Sequence, residues 1–176
     1  MAERTGKPAL RDQHVQPGTR RKITIDRVLA ASAAEVWTMW TTKEGIESWW
    51  GPDGFTVEVR ELDLRTGGML VYAMKATGPD QVAFMKRAGM PLTTVSKCTY
   101  TEVRPPRRLA YTHPVDFVPG VSAYDVEIAV ELLDAPGGTR LVLRIDAMHD
   151  EEWTQRAVTG WTMELGKLEK ALRARV

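Results

Sequence analysis

The sequence predicts an α+β domain in which a curved antiparallel sheet holds one long C-terminal helix against its face. Three observations carry this. Between residues 55 and 145, apolar and polar residues alternate in short runs broken by Gly and Pro, as in strands joined by turns. From Trp153 to Leu172, apolar residues instead recur every three or four positions, which marks one face of a helix. A sheet and a helix with one apolar side each must cover one another.

Residues 1–21 mix Gly6, Pro8, Pro17 and Gly18 with charges and hold no period, so a disordered tail is expected there, followed by a single domain over 22–176. Ile23, Ile25, Val28 and Leu29 sit among polar residues as a first strand. Ser32 followed by Glu35 has capping-box spacing and predicts a short helix from Ala33 to about Trp40. Thr42 can cap a second helix, which Gly51-Pro52 ends after Trp50. Val57 and Val59, then Leu70, Tyr72 and Met74, predict a hairpin about Gly67-Gly68. A short helix is expected between Gly78 and Gly89. Strands resume over Val95 to Val103, Leu109 to His113, Tyr124 to Leu132 and Leu141 to Ile145. The last helix, of roughly 24 residues, opens on Asp150, Glu151 and Glu152 and ends among Lys167, Lys170 and Arg173, which complements its dipole.

Composition narrows the function. A chain of 176 residues with 43% hydrophobic and 27% charged residues is long enough for one sizeable core. A formal charge of +1 gives no field able to hold nucleic acid or anionic lipid, so neither nucleic acid nor a membrane is an expected partner. Cys98 is the single cysteine, which excludes an intramolecular disulfide and a Cys-based zinc site. The N-terminal residues have no apolar leader, and no run approaches a membrane span, so a cytoplasmic location is expected.

Five motifs now fall in one order: Ala34-Glu35-Val36-Trp37, Trp49-Trp50-Gly51-Pro52, Asp63-Leu64-Arg65 running into Gly67-Gly68, Pro105-Pro106-Arg107-Arg108-Leu109, and Gly160-Trp161. Together they resemble the START-like SRPBCC superfamily, in its heat-shock protein 90 ATPase activator homologue branch, over about Ile23 to Leu172. The resemblance implies the helix-grip (START/Bet v-like) fold. In that fold a seven-stranded curved antiparallel sheet wraps round the C-terminal helix, two short helices follow the first strand, and a deep cavity lies between sheet and helix. It implies architecture and an apolar ligand class, and no single activity.

Candidate site residues follow from faces. Four of the six Trp residues stand on the two short helices. Trp37 and Trp49 are expected as core, whereas Trp40 and Trp50 either join that core or line the cavity mouth and stack on a flat ligand. Tyr72 and Met74 share a strand face, as do Tyr111 and His113 on another strand. Each polar group there is satisfied either by a neighbouring element or by a ligand. Trp153 and Trp161 present the helix side of the cavity. Phe84, Met85 and Met90 form either a lid or a surface excursion that packs on the sheet edge or a second subunit.

Other chemistry has weaker grounds. His149 beside Asp150, Glu151 and Glu152 lacks the spacing of a metal motif, and acids at a helix start already have an electrostatic role. No metal, no cofactor and no catalytic nucleophile is expected. Asp63 and Arg65 read as a surface ion pair. The leading expectation is a protein that binds an apolar or aromatic small molecule, a lipid or polyketide-like metabolite. Two alternatives stand beside it: a cyclase or hydrolase using His113, paired with Asp116, or Tyr72 as acid or base, and a co-chaperone stimulating a heat-shock protein 90 ATPase. A homodimer would cover an exposed sheet edge.

Overall fold

The computed structural model describes residues 19–175. Strand β1 (Lys22–Leu29) leads into helices α1 (Ala33–Thr41) and α2 (Lys43–Trp49). Strands β2 (Phe55–Leu62) and β3 (Met69–Ala76) precede helix α3 (Pro79–Arg87). Strands β4 (Thr93–Arg104), β5 (Arg108–Val115), β6 (Tyr124–Ala135) and β7 (Gly138–Asp146) follow, and helix α4 (Glu151–Arg173) ends the chain. Most of the expected tail, residues 1–18, lies outside the described residues. Thr19 to Arg21 are described, and the Arg21 carbonyl accepts a hydrogen bond from the Ala147 N–H.

All seven strands pair antiparallel in the order β1-β7-β6-β5-β4-β3-β2. From β2 to β7 this is a meander, as short turns dictate. Helices α1 and α2 carry the chain from one edge of the sheet to the other. Both begin as the capping residues require: the Ser32 hydroxyl accepts from the Glu35 N–H while the Glu35 carboxylate accepts from the Ser32 N–H, and Thr42 caps α2 through the Gly45 N–H. Gly45 also lets the two helices touch, since a Cβ there would lie 2.4 Å from the Thr38 carbonyl oxygen and 2.7 Å from the Met39 Cα.

The core fills the concave side of the sheet. Leu70, Cys98, Tyr100, Leu109, Tyr111, Val130, Leu141 and Leu143 point inward from the strands, and Leu165, Leu168 and Leu172 meet them from the C-terminal half of α4. Val36, Met39, Trp40, Ile46 and Trp49 close the same cluster from α1 and α2. A second, smaller cluster of Val115, Val118 and Val126 gathers Tyr124, Met148 and Trp153 near the start of α4. Between the two clusters the sheet and α4 leave a gap that residues of both clusters face.

Candidate ligand cavity

A cavity of about 290 Å³ occupies that gap. Helix α4 supplies Trp153, Arg156, Ala157, Trp161 and Glu164, one face at three- and four-residue spacing. The sheet supplies Tyr72 and Met74 from β3, His113 and Val115 from β5, Val126 and Ile128 from β6, and Ile145 and Asp146 from β7. Trp50, just beyond α2, forms the inner end, while Phe117, Met148 and the exposed Arg156 stand at the other.

The walls are aromatic. Trp50 meets Trp161 edge to face at 5.9 Å and lies 6.0 Å from the Tyr72 ring. Near Phe117, the Phe117 and Trp153 rings are 5.9 Å apart and the Arg156 guanidinium lies 5.0 Å above the Trp153 ring. Polar groups are few and mostly engaged. The Tyr72 hydroxyl and His113 Nε2 are hydrogen-bonded at 2.9 Å. Burial holds His113 below the usual imidazole range, against the backbone at Pro114 and the charges of Asp116 and Asp125, so the ring is neutral at pH 7. Burial likewise pushes the Tyr72 hydroxyl far up, which keeps it protonated. Asp146 is ion-paired with Lys22 at 2.7 Å and accepts from the Glu127 N–H at 2.8 Å. Arg156 pairs with Glu152 at 2.6 Å.

Glu164 is different. Burial pushes its carboxyl up to about 7, although the charge of Lys167 and the Gly51 backbone favour the ionised form. The Lys167 ammonium itself donates to the Gly51 carbonyl at 2.6 Å. Glu164 thus stands on the cavity wall as a carboxyl close to half-ionised at neutral pH. In the sequence Glu164 stands three residues after Trp161 and four before Leu168, a charge at the margin of the apolar stripe.

Of the residues expected around a ligand, Trp50, Tyr72, Met74, His113, Trp153 and Trp161 come together on the cavity wall. Four others do not reach it. Trp40 is turned into the core, stacked on Trp161 at 6.0 Å and edge-on to Trp49 at 4.7 Å. Tyr111 is fully buried behind Trp50, at 6.1 Å between rings, because its position on β5 is one step deeper than His113. Phe84 is exposed, and Met85 is buried against the sheet, because α3 packs on β3 away from the opening. Of the two alternatives for Phe84, Met85 and Met90, a lid or a surface excursion, the lid has no support at this cavity, whose wall includes none of the three. His113 bonds to Tyr72, and Asp116 is exposed. His149 Nδ1 bonds the Tyr124 hydroxyl at 2.8 Å, and Asp150 caps α4 through the Trp153 N–H. Among the described residues no group of His, Cys, Asp and Glu is arranged to hold a metal ion. Asp63 and Arg65 form an ion pair at 2.9 Å on the surface.

Comparison with known proteins decides the family. The family model described as "Activator of Hsp90 ATPase homolog 1-like protein" matches residues 30–173. The chain belongs to this family. The fold agrees with solved structures of several bacterial proteins. Protein CV1439 from Chromobacterium violaceum superposes with a TM-score of 0.71 at 23% identity, covering 86% of this chain and 96% of that one. The AHSA1-like protein from Aeromonas hydrophila gives 0.67 at 23% identity, covering 88% and 94%. Protein Ms6760 from Mycobacterium smegmatis gives 0.68 at 20% identity, covering 88% and 92%. No curated protein matches the chain. At these identities the likeness is one of fold, and the side chains of the cavity carry the functional reading.

Proposed function

We propose that this member of the family binds an apolar, aromatic small molecule between α4 and the sheet. The observation that carries the reading is the aromatic wall formed by Trp50, Tyr72, Trp153 and Trp161 around a cavity of about 290 Å³. Small-molecule sites run from roughly 300 to 1,000 Å³, so this one fits a molecule of one or two fused rings better than a long acyl chain. Such a ligand would bury about 150–250 Å² of its own surface, comparable to an aromatic side chain. At about 25 cal/mol per Å² this contributes about 5 kcal/mol, a dissociation constant of roughly 0.1–1 mM before any polar contact is added.

Calorimetric titration with 2-naphthol tests the reading. Saturable one-to-one binding is expected, and Ala157→Phe, which fills the cavity from α4, should abolish it while a cooperative thermal transition remains. Binding unaffected by Ala157→Phe would place the ligand elsewhere.

A second reading has one observation behind it, the hydrogen-bonded pair of Tyr72 and His113 on the cavity wall. A neutral imidazole is a competent base, and a bound substrate that displaced the tyrosine would leave His113 Nε2 free to accept a proton. Turnover of a polyketide-like substrate that disappears in His113→Ala would favour it over binding alone.

A further inference from the structure

The cavity combines aromatic faces with the Glu164 carboxyl, which is bonded by the Gly51 backbone and feels the charge of Lys167 but forms no ion pair within 4 Å among the described residues. Glu164 sits on the same wall as Trp161 and within electrostatic reach of Tyr72 and Tyr111, neither of which can supply a positive charge. The other charged or titratable groups of the wall are occupied. Asp146 holds Lys22, Arg156 holds Glu152, and His113 is neutral and bonded to Tyr72. Lys167, next along the helix, is fixed by its bond to the Gly51 carbonyl.

Resting on the cavity's reading as an aromatic-ligand site, we propose that its ligand is an aromatic amine, whose ammonium pairs with Glu164 while its ring lies among Trp50, Tyr72 and Trp161. Two independent features favour a cation over an acceptor group. Indole and phenol faces attract an ammonium through their quadrupoles, and a desolvated site strengthens that attraction. The ammonium also supplies the charge that a buried carboxylate needs to ionise. An anionic ligand meets the opposite, with Glu164 and Asp146 both on the wall.

Binding then carries a proton signature. Below pH 7 the empty site holds a protonated Glu164, and an arriving ammonium displaces that proton to solvent. Well above pH 7 no proton is released.

The test is a matched set of probes titrated into the intact protein: tryptamine, its neutral counterpart tryptophol, and indole-3-propionate. At pH 7.5 tryptamine should bind at least about tenfold more tightly than tryptophol, and the propionate most weakly of the three. Titrations at pH 6 in buffers of different ionisation enthalpy should show close to one proton released with tryptamine and none with tryptophol. Glu164→Gln should reduce the tryptamine to tryptophol ratio to near one, and a cooperative thermal transition retained at pH 6 shows that the variant is folded. Tryptophol binding as tightly as tryptamine, or a ratio unchanged in Glu164→Gln, overturns the amine proposal and leaves the aromatic cavity standing. No binding of any probe overturns both.

Discussion

The Tyr72 hydroxyl and His113 Nε2 meet at 2.9 Å although β4 runs between their strands. Small side chains on β4 make the contact possible. Ser96 is the partner of Tyr72, and continuing the β4–β5 register from Thr99 and Thr112 sets Cys98 opposite His113. The long Tyr72 side chain reaches over both. A buried hydroxyl and a buried ring nitrogen thereby satisfy one another, whereas the hydroxyl of Tyr111, two positions before His113, is buried without a hydrogen-bond partner among the described residues.

That contrast predicts opposite signs for the same substitution. Tyr72→Phe leaves His113 Nε2 unpaired and should destabilise the fold by about 1–2 kcal/mol. Tyr111→Phe removes an unsatisfied hydroxyl and should be neutral or stabilising by up to about 1 kcal/mol. Urea denaturation of the two variants measures both. Equal losses would show that the hydroxyls have equivalent surroundings.

The pH dependence of stability isolates Glu164. Its folded pKa of about 7 lies above the ordinary 4.5, so the folded state binds more protons than the unfolded chain between those values. Its contribution is therefore most favourable below pH 4.5 and is lost as pH rises through 7. Glu164→Gln should be more stable than the parent at pH 8, by about 1–3 kcal/mol, and the gain should vanish near pH 4.5. His113 has the opposite sign: its depressed folded pKa makes the protein lose stability as pH falls below about 6.5. Parallel denaturation curves for parent and Glu164→Gln across pH 4.5 to 8 separate the two, and a constant offset between them would rule out a raised pKa at Glu164.

The junction of α1 and α2 gives a stability test remote from the cavity. At Gly45 even a methyl group meets backbone, the Thr38 oxygen at 2.4 Å and the Met39 Cα at 2.7 Å. Gly45→Ala should cost about 1–3 kcal/mol by overpacking, lowering the melting temperature by about 4–10 °C in a domain of this size. Gly67→Ala also meets its cost through the backbone, at φ +82°, but has open space around it. A Gly45→Ala protein that melts with the parent would mean the helices separate freely.

Much of this fold was legible in the sequence because it rests on periodicity and local capping. Leu70, Tyr72 and Met74 share a face by spacing alone, and Ser32 with Glu35 forms the capping box that its spacing announces. The cavity wall was legible only in part. Trp40 and Trp50 look alike in sequence, and only the packing of α4 sends Trp40 into a stack with Trp161 while leaving Trp50 at the cavity's end. Phe84 and Met85 read equally as a lid or as a surface excursion because chain order places them between strands, whereas the direction in which α3 folds is a long-range property. Glu164 was readable as a charge at the margin of an apolar stripe, but its meaning depends on the empty space opposite, which no local pattern encodes.

The position of a bound aromatic molecule tests the account most directly. In a titration of isotopically labelled protein with 2-naphthol followed by nuclear magnetic resonance, saturable shifts should concentrate on the Trp50 and Trp161 indole N–H groups, Ala157 and Ile128, leaving Phe84 and Val95 unmoved. Shifts centred on α3, or absent from the indoles of Trp50 and Trp161 at saturation, would contradict a ligand site between α4 and the sheet.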